Sequence, residues 1–402
     1  MNELARVYLS RRPLELNGRN RVLERLARCR TPAMGGRLVA CDSCGDRREV
    51  WNTCRNRHCP SCLGKESRVW VARQVAHLLP VPYFHVVFTL PAVLRDLALY
   101  NKELLYGLLM RLSAESLKQL GRDKKFLGGE MGVLSVLHTW TQTLEHHPHV
   151  HCVVPGGALQ ADGSWKSSSE DYLLPTRALG ALFRRRFLEE LESLRSKGEL
   201  RFRGRSKGLR CQSRWDAAIS KLRKTAWVVY CKPPFGGPEQ VLKYLARYTH
   251  RVAISNRRLV AFDGSDVTFR HRVRGESAQY TELTLPLDDF IQRFCLHILP
   301  QGFCRLRSYG FLAPAKRKEK LQKIRHSLGA AAPAAEPIRS EESESACCRV
   351  CGVGNLYEVR ELRPRRRVGL WGRRRRYPIA TTGPPATTGL AALNMVRAAW
   401  PG

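Results

Sequence analysis

Six cysteines fall between residues 29 and 62, in a stretch rich in Arg and Gly with too few large apolar residues for a core of its own. Such a segment folds only if something other than hydrophobic burial holds it. CDSCG (41–45) and CRNRHCPSC (54–62) supply two CxxC pairs, Cys41/Cys44 and Cys59/Cys62, with fourteen residues between them. Each pair can wrap a tetrahedral ion through a tight turn, and two pairs at this separation suit a four-thiolate Zn2+ site. The spacing therefore predicts one structural zinc on Cys41, Cys44, Cys59 and Cys62. A thioredoxin-like redox role would need a strand–helix context that is absent. Cys29, Cys54 and His58 are left over: either a second, incomplete zinc site, or a buried thiol, a group that supports the first site from outside, and an Arg-flanked surface imidazole. Arg55, Arg57, Lys65 and Arg68 flank the module, which suits phosphate contacts but says nothing about base reading.

Charge is the loudest bulk signal. Sixty-nine Lys and Arg against 35 Asp and Glu give a net charge of +34 over 402 residues. That excess opposes compaction unless a polyanion shares the space, and nucleic acid is the common one. No apolar run reaches the ~18 residues of a membrane span, and no long basic amphipathic helix suggests a membrane surface. The opening MNELARVYLSRRPLEL does not read as a secretory signal. A reducing, cytoplasmic setting is expected, in which the fourteen cysteines are metal ligands or free thiols rather than disulfides.

Length and a 43% hydrophobic content allow two or three domains. Helical spacing is expected in two short stretches of 1–28, then over 63–79, 92–119, 178–194 and 238–250, with a basic helical segment from 315. Strands are expected at 83–90, 133–140, 149–154 and 225–231, and near 251–262, 266–273 and 279–285. The mixture predicts an α+β fold with a largely antiparallel sheet. LGAAAPAAEPIRSEESESA reads as a low-complexity linker. CCRVCG (347–352) holds one CxxC with no later partner, so a self-contained C-terminal zinc ribbon is not expected.

EHHPHVHCVV (145–154) places His149 and His151 one residue apart in an apolar run. On a strand both project from one face. Two readings are open: a histidine pair bonded inside a core, or metal ligands. If the strand carrying His138 pairs antiparallel with this one, His138 joins them, and three neutral imidazoles leave positions on a divalent ion for substrate oxygens. Glu145 and Gln142 are reserve ligands, and His146 and His147 are expected in a solvated loop. Far downstream, KYLARYTHR (243–251) puts Tyr244 and Tyr248 four apart on a helix, with Lys243, Arg247 and Arg251 around them. They are either an apolar stripe against the sheet or a pair of nucleophiles. A tyrosine near a divalent ion can attack a phosphodiester as phenolate and keep the bond energy in a phosphotyrosine, so no nucleotide cofactor is needed.

HPHVHCVVPGG together with YLARY resembles the HUH superfamily of single-strand nucleases, in its two-tyrosine branch. YFHVVFTLP, HTW, CRNRHCPSC and THRVAISNRRL resemble the rolling-circle insertion-sequence transposases with an N-terminal zinc-binding domain, over roughly residues 20–315. The resemblance implies a ferredoxin-like, Rep-type catalytic sheet with the HxH on a central strand and Mg2+ or Mn2+ on His138, His149 and His151. It implies Tyr244 and Tyr248 as nucleophiles, single-stranded transposon ends and target DNA as partners, host replication proteins, and action on the bacterial nucleoid. The ten-residue gap between His138 and His149 is similar to that of conjugative relaxases. Arg37 stands after Gly-Gly where the family pattern has a histidine. The expected organisation is a helical and zinc-binding DNA-binding domain over 1–80, an HUH catalytic domain over 81–315, and a basic, disordered linker and tail over 316–402. Competing readings are a plasmid replication initiator or relaxase with the same pocket, a phosphodiesterase without a covalent step, and a non-catalytic zinc-finger DNA-binding protein.

Overall fold

The computed structural model describes residues 1–11, 18–62, 64–232, 253–273, 279–331 and 347–365. In chain order the first half carries α1 (Asn2–Arg11), α2 (Gly18–Arg28), β1 (Gly36–Cys41), β2 (Arg47–Trp51), α3 (Gly64–Val75), β3 (Tyr83–Thr89), α4 (Arg95–Tyr100), α5 (Lys102–Arg122), β4 (Gly132–Trp140), β5 (His146–Pro155), β6 (Gly157–Leu159), β7 (Trp165–Ser167) and α6 (Thr176–Ser196). There follow α7 (Gln212–Lys224), β8 (Val229–Lys232), β9 (Leu259–Phe262), β10 (Asp266–Arg272), β11 (Tyr280–Pro286), α8 (Leu287–Leu296), β12 (Leu306–Gly310), α9 (Arg317–Ser327) and β13 (Leu356–Leu362). The described residues fall into two compact units, one drawn from Met1–Cys54, Asn256–Ile291 and Glu344–Gly402, the other from Arg55–Ser255 and Gln292–Ser343. The fold is α+β, and its largest sheet is antiparallel throughout.

That sheet has the order β12-β4-β5-β3-β8, so the HxH strand is central. Its alternation sorts the side chains. Phe84, Val86 and Phe88 of β3, Val150, Cys152 and Val154 of β5, and Val133 and Leu137 of β4 join one core with α5 and α6. Leu179, Phe183, Phe187 and Leu191 of α6 recur every fourth residue and form its buried stripe. Phe183 meets Phe88 edge-on at 5.1 Å between ring centroids. On the opposite face Tyr83, Leu134, Val136 and Val153 pack with Phe311 and with Leu321 and Ile324 of α9. Apolar cover on both faces explains why β4 is buried along nearly its whole length.

The helix expected over 92–119 is broken. Asn101 ends α4, and its buried amide donates to the carbonyls of Leu97 and Arg201 and accepts from the Arg201 N–H, each at 2.8 Å. A side chain that satisfies three backbone groups fixes the kink, where a straight helix would leave two of those groups on residue 201 unpaired.

In the other unit β1 is the middle strand between β13 and β2, and β10 is the middle strand between β11 and β9. Phe269 of β10 packs against Phe290 of α8, with centroids 5.6 Å apart. Within the span expected as a basic linker and tail, the helical segment expected from 315 is α9, and β13 is a regular element that was not expected. Helix α9 buries Leu321 and Ile324, and β13 fills the open edge of β1 from Gly36↔Leu362 to Cys41↔Leu356. An apolar stripe and an unpaired strand edge are the two things that order such segments. Among the described residues no helix is long and apolar enough to cross a membrane.

Phe183→Ala should lower unfolding stability by about 3–5 kcal/mol, the usual penalty for emptying a large aromatic site in a closed core. Val228→Ala, at a position 66% exposed, should change it by less than about 0.5 kcal/mol. Urea titration followed by tryptophan fluorescence measures both; equal effects would disprove the packing described for α6.

Candidate metal centre

The register between β4 and β5 places His138 directly opposite His149, and His151 opposite Val136. Residues 138, 149 and 151 therefore share one face. Their ligand nitrogens all lie within 4.8 Å of one another. Ring centroids stand 4.2 Å apart for His138–His151, 4.8 Å for His149–His151 and 5.4 Å for His138–His149. Trp140 stacks on His138 at 4.7 Å.

Hydrogen bonds set the tautomers. His149 Nδ1 lies 2.7 Å from the His147 carbonyl oxygen, which only accepts, so Nδ1 carries the proton and Nε2 keeps its lone pair. His151 Nδ1 lies 2.8 Å from Nε2 of His85, with the two rings stacked at 5.0 Å. A ligand set that uses Nε2 of both residues leaves each Nδ1 proton held, one by a carbonyl and one by His85. Three neutral imidazoles around one point fit a divalent cation, and no carboxylate joins them among the described residues. Burial keeps all three neutral. It pushes His138 and His151 well below the usual imidazole range, and lowers His149 to about 4 against the opposing pull of the His147 carbonyl. The buried Arg305 guanidinium adds its charge to the depression of His138. Protons therefore compete weakly for these lone pairs at neutral pH.

The surroundings differ in part from expectation. His146 is not in a solvated loop: it belongs to β5, with Nε2 2.6 Å from the Tyr106 hydroxyl. Glu145 is exposed and outside the cluster. Buried His297 donates from Nε2 to the Leu144 carbonyl at 3.0 Å and accepts at Nδ1 from the Thr139 hydroxyl at 3.1 Å. Tyr244 and Tyr248 lie outside the described residues. His85 was not anticipated. The signal for it was present: a lone imidazole amid YFHVVFTL, two positions from the residue opposite His151.

The cysteines sort differently from the spacing prediction. Cys41 and Cys44 gather with Cys348 and Cys351, their sulfurs within 4.8 Å of one another, and not with Cys59 and Cys62. Pairing by nearest CxxC fails because β13 pairs with β1, and this brings the distant third CxxC, which just precedes β13, beside the Cys41 end of β1. His58 is not in this group. Its Nδ1 lies 3.0 Å from Asn56 Oδ1 and its Nε2 accepts the Leu299 N–H at 3.3 Å, which uses both ring nitrogens. The Cys41, Cys44, Cys348 and Cys351 group has the donor set of a structural Zn2+ site.

A family model described as "Putative transposase" matches residues 132–320, and one described as "Transposase zinc-binding domain" matches residues 2–90. The chain is 48% identical over 315 residues to "Putative transposase y4qJ" of Sinorhizobium fredii (strain NBRC 101917 / NGR234), covering 78% of this chain and 79% of that one. It is 31% identical over 313 residues to "Transposase for insertion sequence element IS801" of Pseudomonas savastanoi pv. phaseolicola, covering 77% and 74%. A solved structure of "Conjugative Relaxase TrwC in complex with mutant OriT Dna" aligns over 42% of this chain and 68% of its own, at 17% identity and a TM-score of 0.24. The fold and these clusters define an α+β protein with groups of cysteine and histidine that could each hold a metal ion. By these matches the chain belongs to the insertion-sequence transposase family that carries an N-terminal zinc-binding domain.

Burial lowers His58, His146 and His297 each to about 3. The unfolded chain takes up these protons below about pH 6.5 while the folded chain does not, so stability present above pH 6.5 is lost as pH falls toward 3. The slope is about 1.4 kcal/mol per pH unit for each group. In histidine-labelled protein the ring resonances of these three should stay fixed from pH 8 to pH 5. Titration of any one of them near 6.5 would contradict its burial.

Proposed function

We propose that this chain is a metal-dependent single-strand DNA endonuclease and strand transferase, moving an insertion sequence by rolling-circle transposition through a 5′-phosphotyrosine. The observation that carries the reading is the cluster of His138, His149 and His151 on two adjacent inner strands of the sheet, β4 and β5, in a chain of transposase family. The net charge of +34 supports a DNA partner, here single-stranded transposon ends and target.

The residues have separate tasks. His138, His149 and His151 would hold Mg2+ or Mn2+, which supplies polarisation of the scissile phosphate and favours the tyrosine phenolate. The His147 carbonyl and His85 fix the orientation of two of these rings. Tyr244 and Tyr248 are the nucleophiles. In each transfer the tyrosine oxygen bonds to phosphorus as the P–O3′ bond breaks, and the departing 3′ oxygen gains a proton. Attack by a 3′ hydroxyl on the phosphotyrosine reverses the exchange and returns the tyrosine. Two tyrosines allow two transfers in turn. The cysteines hold structural Zn2+ and present the flanking arginines to phosphates. Residues 1–80 then serve DNA binding and 81–315 the chemistry, with host replication proteins copying the strand on the bacterial nucleoid.

The test is a covalent-capture assay with 3′-labelled single strands that carry candidate transposon ends, resolved under denaturing conditions. A shifted protein–DNA species should form with Mg2+ or Mn2+ and not with chelator. Tyr244→Phe with Tyr248→Phe should abolish it, and His149→Ala or His151→Ala should slow it by about 10²-fold or more while DNA binding persists. An adduct that survives the double phenylalanine variant removes the nucleophile assignment. Cleavage without any adduct would indicate a simple phosphodiesterase, and binding without cleavage a non-catalytic DNA-binding protein.

A further inference from the structure

CxxCG occurs twice at the ends of the chain, as CDSCG (41–45) and CRVCG (348–352). The two turns share one geometry. In the first, the Gly45 N–H donates to the Cys41 carbonyl at 3.1 Å, and the N–H groups of Ser43 and Cys44 point at Cys41 Sγ from 3.4 and 3.5 Å. In the second, the Gly352 N–H donates to the Cys348 carbonyl at 2.9 Å, and the Val350 N–H points at Cys348 Sγ from 3.4 Å. The Gly354 N–H reaches Cys351 Sγ at 3.3 Å. Both turns close on a glycine in the left-handed region, Gly45 at φ 72° and Gly352 at φ 73°.

The turns face each other. Cys41 Sγ stands 3.7 Å from Cys351 Sγ, and Cys44 Sγ 3.7 Å from Cys348 Sγ. Four sulfurs at about 2.3 Å from a tetrahedral zinc are about 3.8 Å apart along each edge. Disulfide bonding would need about 2.05 Å. The second shell of contacts is also built across the pair. The Asp42 N–H donates to the Asn355 carbonyl at 3.0 Å, and the Asn355 N–H donates to Asp42 Oδ1 at 2.8 Å. A Cβ on Gly354 would lie 2.3 Å from Cys41 Sγ, so only glycine lets this backbone pass the cluster.

We infer that Cys41, Cys44, Cys348 and Cys351 form a single four-thiolate Zn2+ site, a ribbon whose two knuckles come from opposite ends of the chain, 310 positions apart between Cys41 and Cys351. The transposase zinc-binding match stops at residue 90, so half of this site lies beyond it. The assignment does not depend on the catalytic reading.

Two experiments on the full-length chain decide it. The first is alkylation of the native, zinc-loaded protein with N-ethylmaleimide, mapped by mass spectrometry. Cys44 is exposed and Cys351 half-exposed, as bare thiols open to attack; the ion should protect both. Exposed Cys347, beside the site, should react at once. Rising chelator should expose Cys41, Cys44, Cys348 and Cys351 together. Alkylation of Cys44 and Cys351 at the rate of Cys347 with zinc retained, or release of the two pairs at different chelator concentrations, overturns the proposal. The second is zinc content. Cys348→Ser with Cys351→Ser should lose one zinc per chain, Cys41→Ser with Cys44→Ser the same one, and all four substitutions together still only one. Full zinc in the first variant, or loss of two in the fourfold variant, also overturns it. The alkylation result stands whether or not the variants fold.

Discussion

The antiparallel register of β3, β5 and β4 is the constraint on which the candidate centre depends. With Val87 opposite His151 and His138 opposite His149, every second residue of three strands meets on one side, and the intervening ones enter the core beneath α5 and α6. A slip of one residue would send the imidazoles into that core and turn Val150, Cys152 and Val154 outward. Burial of those apolar side chains therefore sets the positions of the ligands. The same burial desolvates the imidazoles and keeps them neutral, so packing energy and ligand chemistry have one source.

Much of this sheet could be read from local pattern. The HxH run, the strand carrying His138 and the conditional antiparallel pairing between them needed only period-two alternation, and the α6 stripe only the helical period. What could not be read was set by partners far along the chain. The break at Asn101 depends on Arg201, 100 positions away. The partners of Cys41 and Cys44 depend on β13, a strand that is exposed along most of its length and so lacks the alternation by which strands announce themselves. His85 was missed for another reason: a single polar residue in an apolar strand gives no spacing to measure, and only the neighbouring strand shows what it meets.

The cysteine cluster and the histidine cluster rest on different kinds of stability. The histidines sit in a sheet with apolar layers on both sides, which holds its shape through packing. The β1 sheet is thin. β2 exposes most of its side chains, and apolar Val353, Val359 and Tyr357 near or on β13 are open to solvent. β2 and β13, which expose most of their side chains, depend for their order on pairing with the buried β1 and would gain from ligation beside them. Joining segments some 300 residues apart costs loop-closure entropy on the order of 5 kcal/mol, which ligation and strand pairing must offset, because a metal cross-link, unlike a disulfide, is lost on unfolding.

The pairing of β1 with β13 also has a consequence during synthesis. β1 leaves the ribosome early, yet its edge partner ends at Leu362. At ordinary translation speeds of about 5–20 residues per second the wait is roughly 15–60 s, during which the sheet with the histidines can fold ahead of it. A prematurely terminated chain would present an open strand edge to its neighbours, a feature that cellular proteolysis and aggregation both act on.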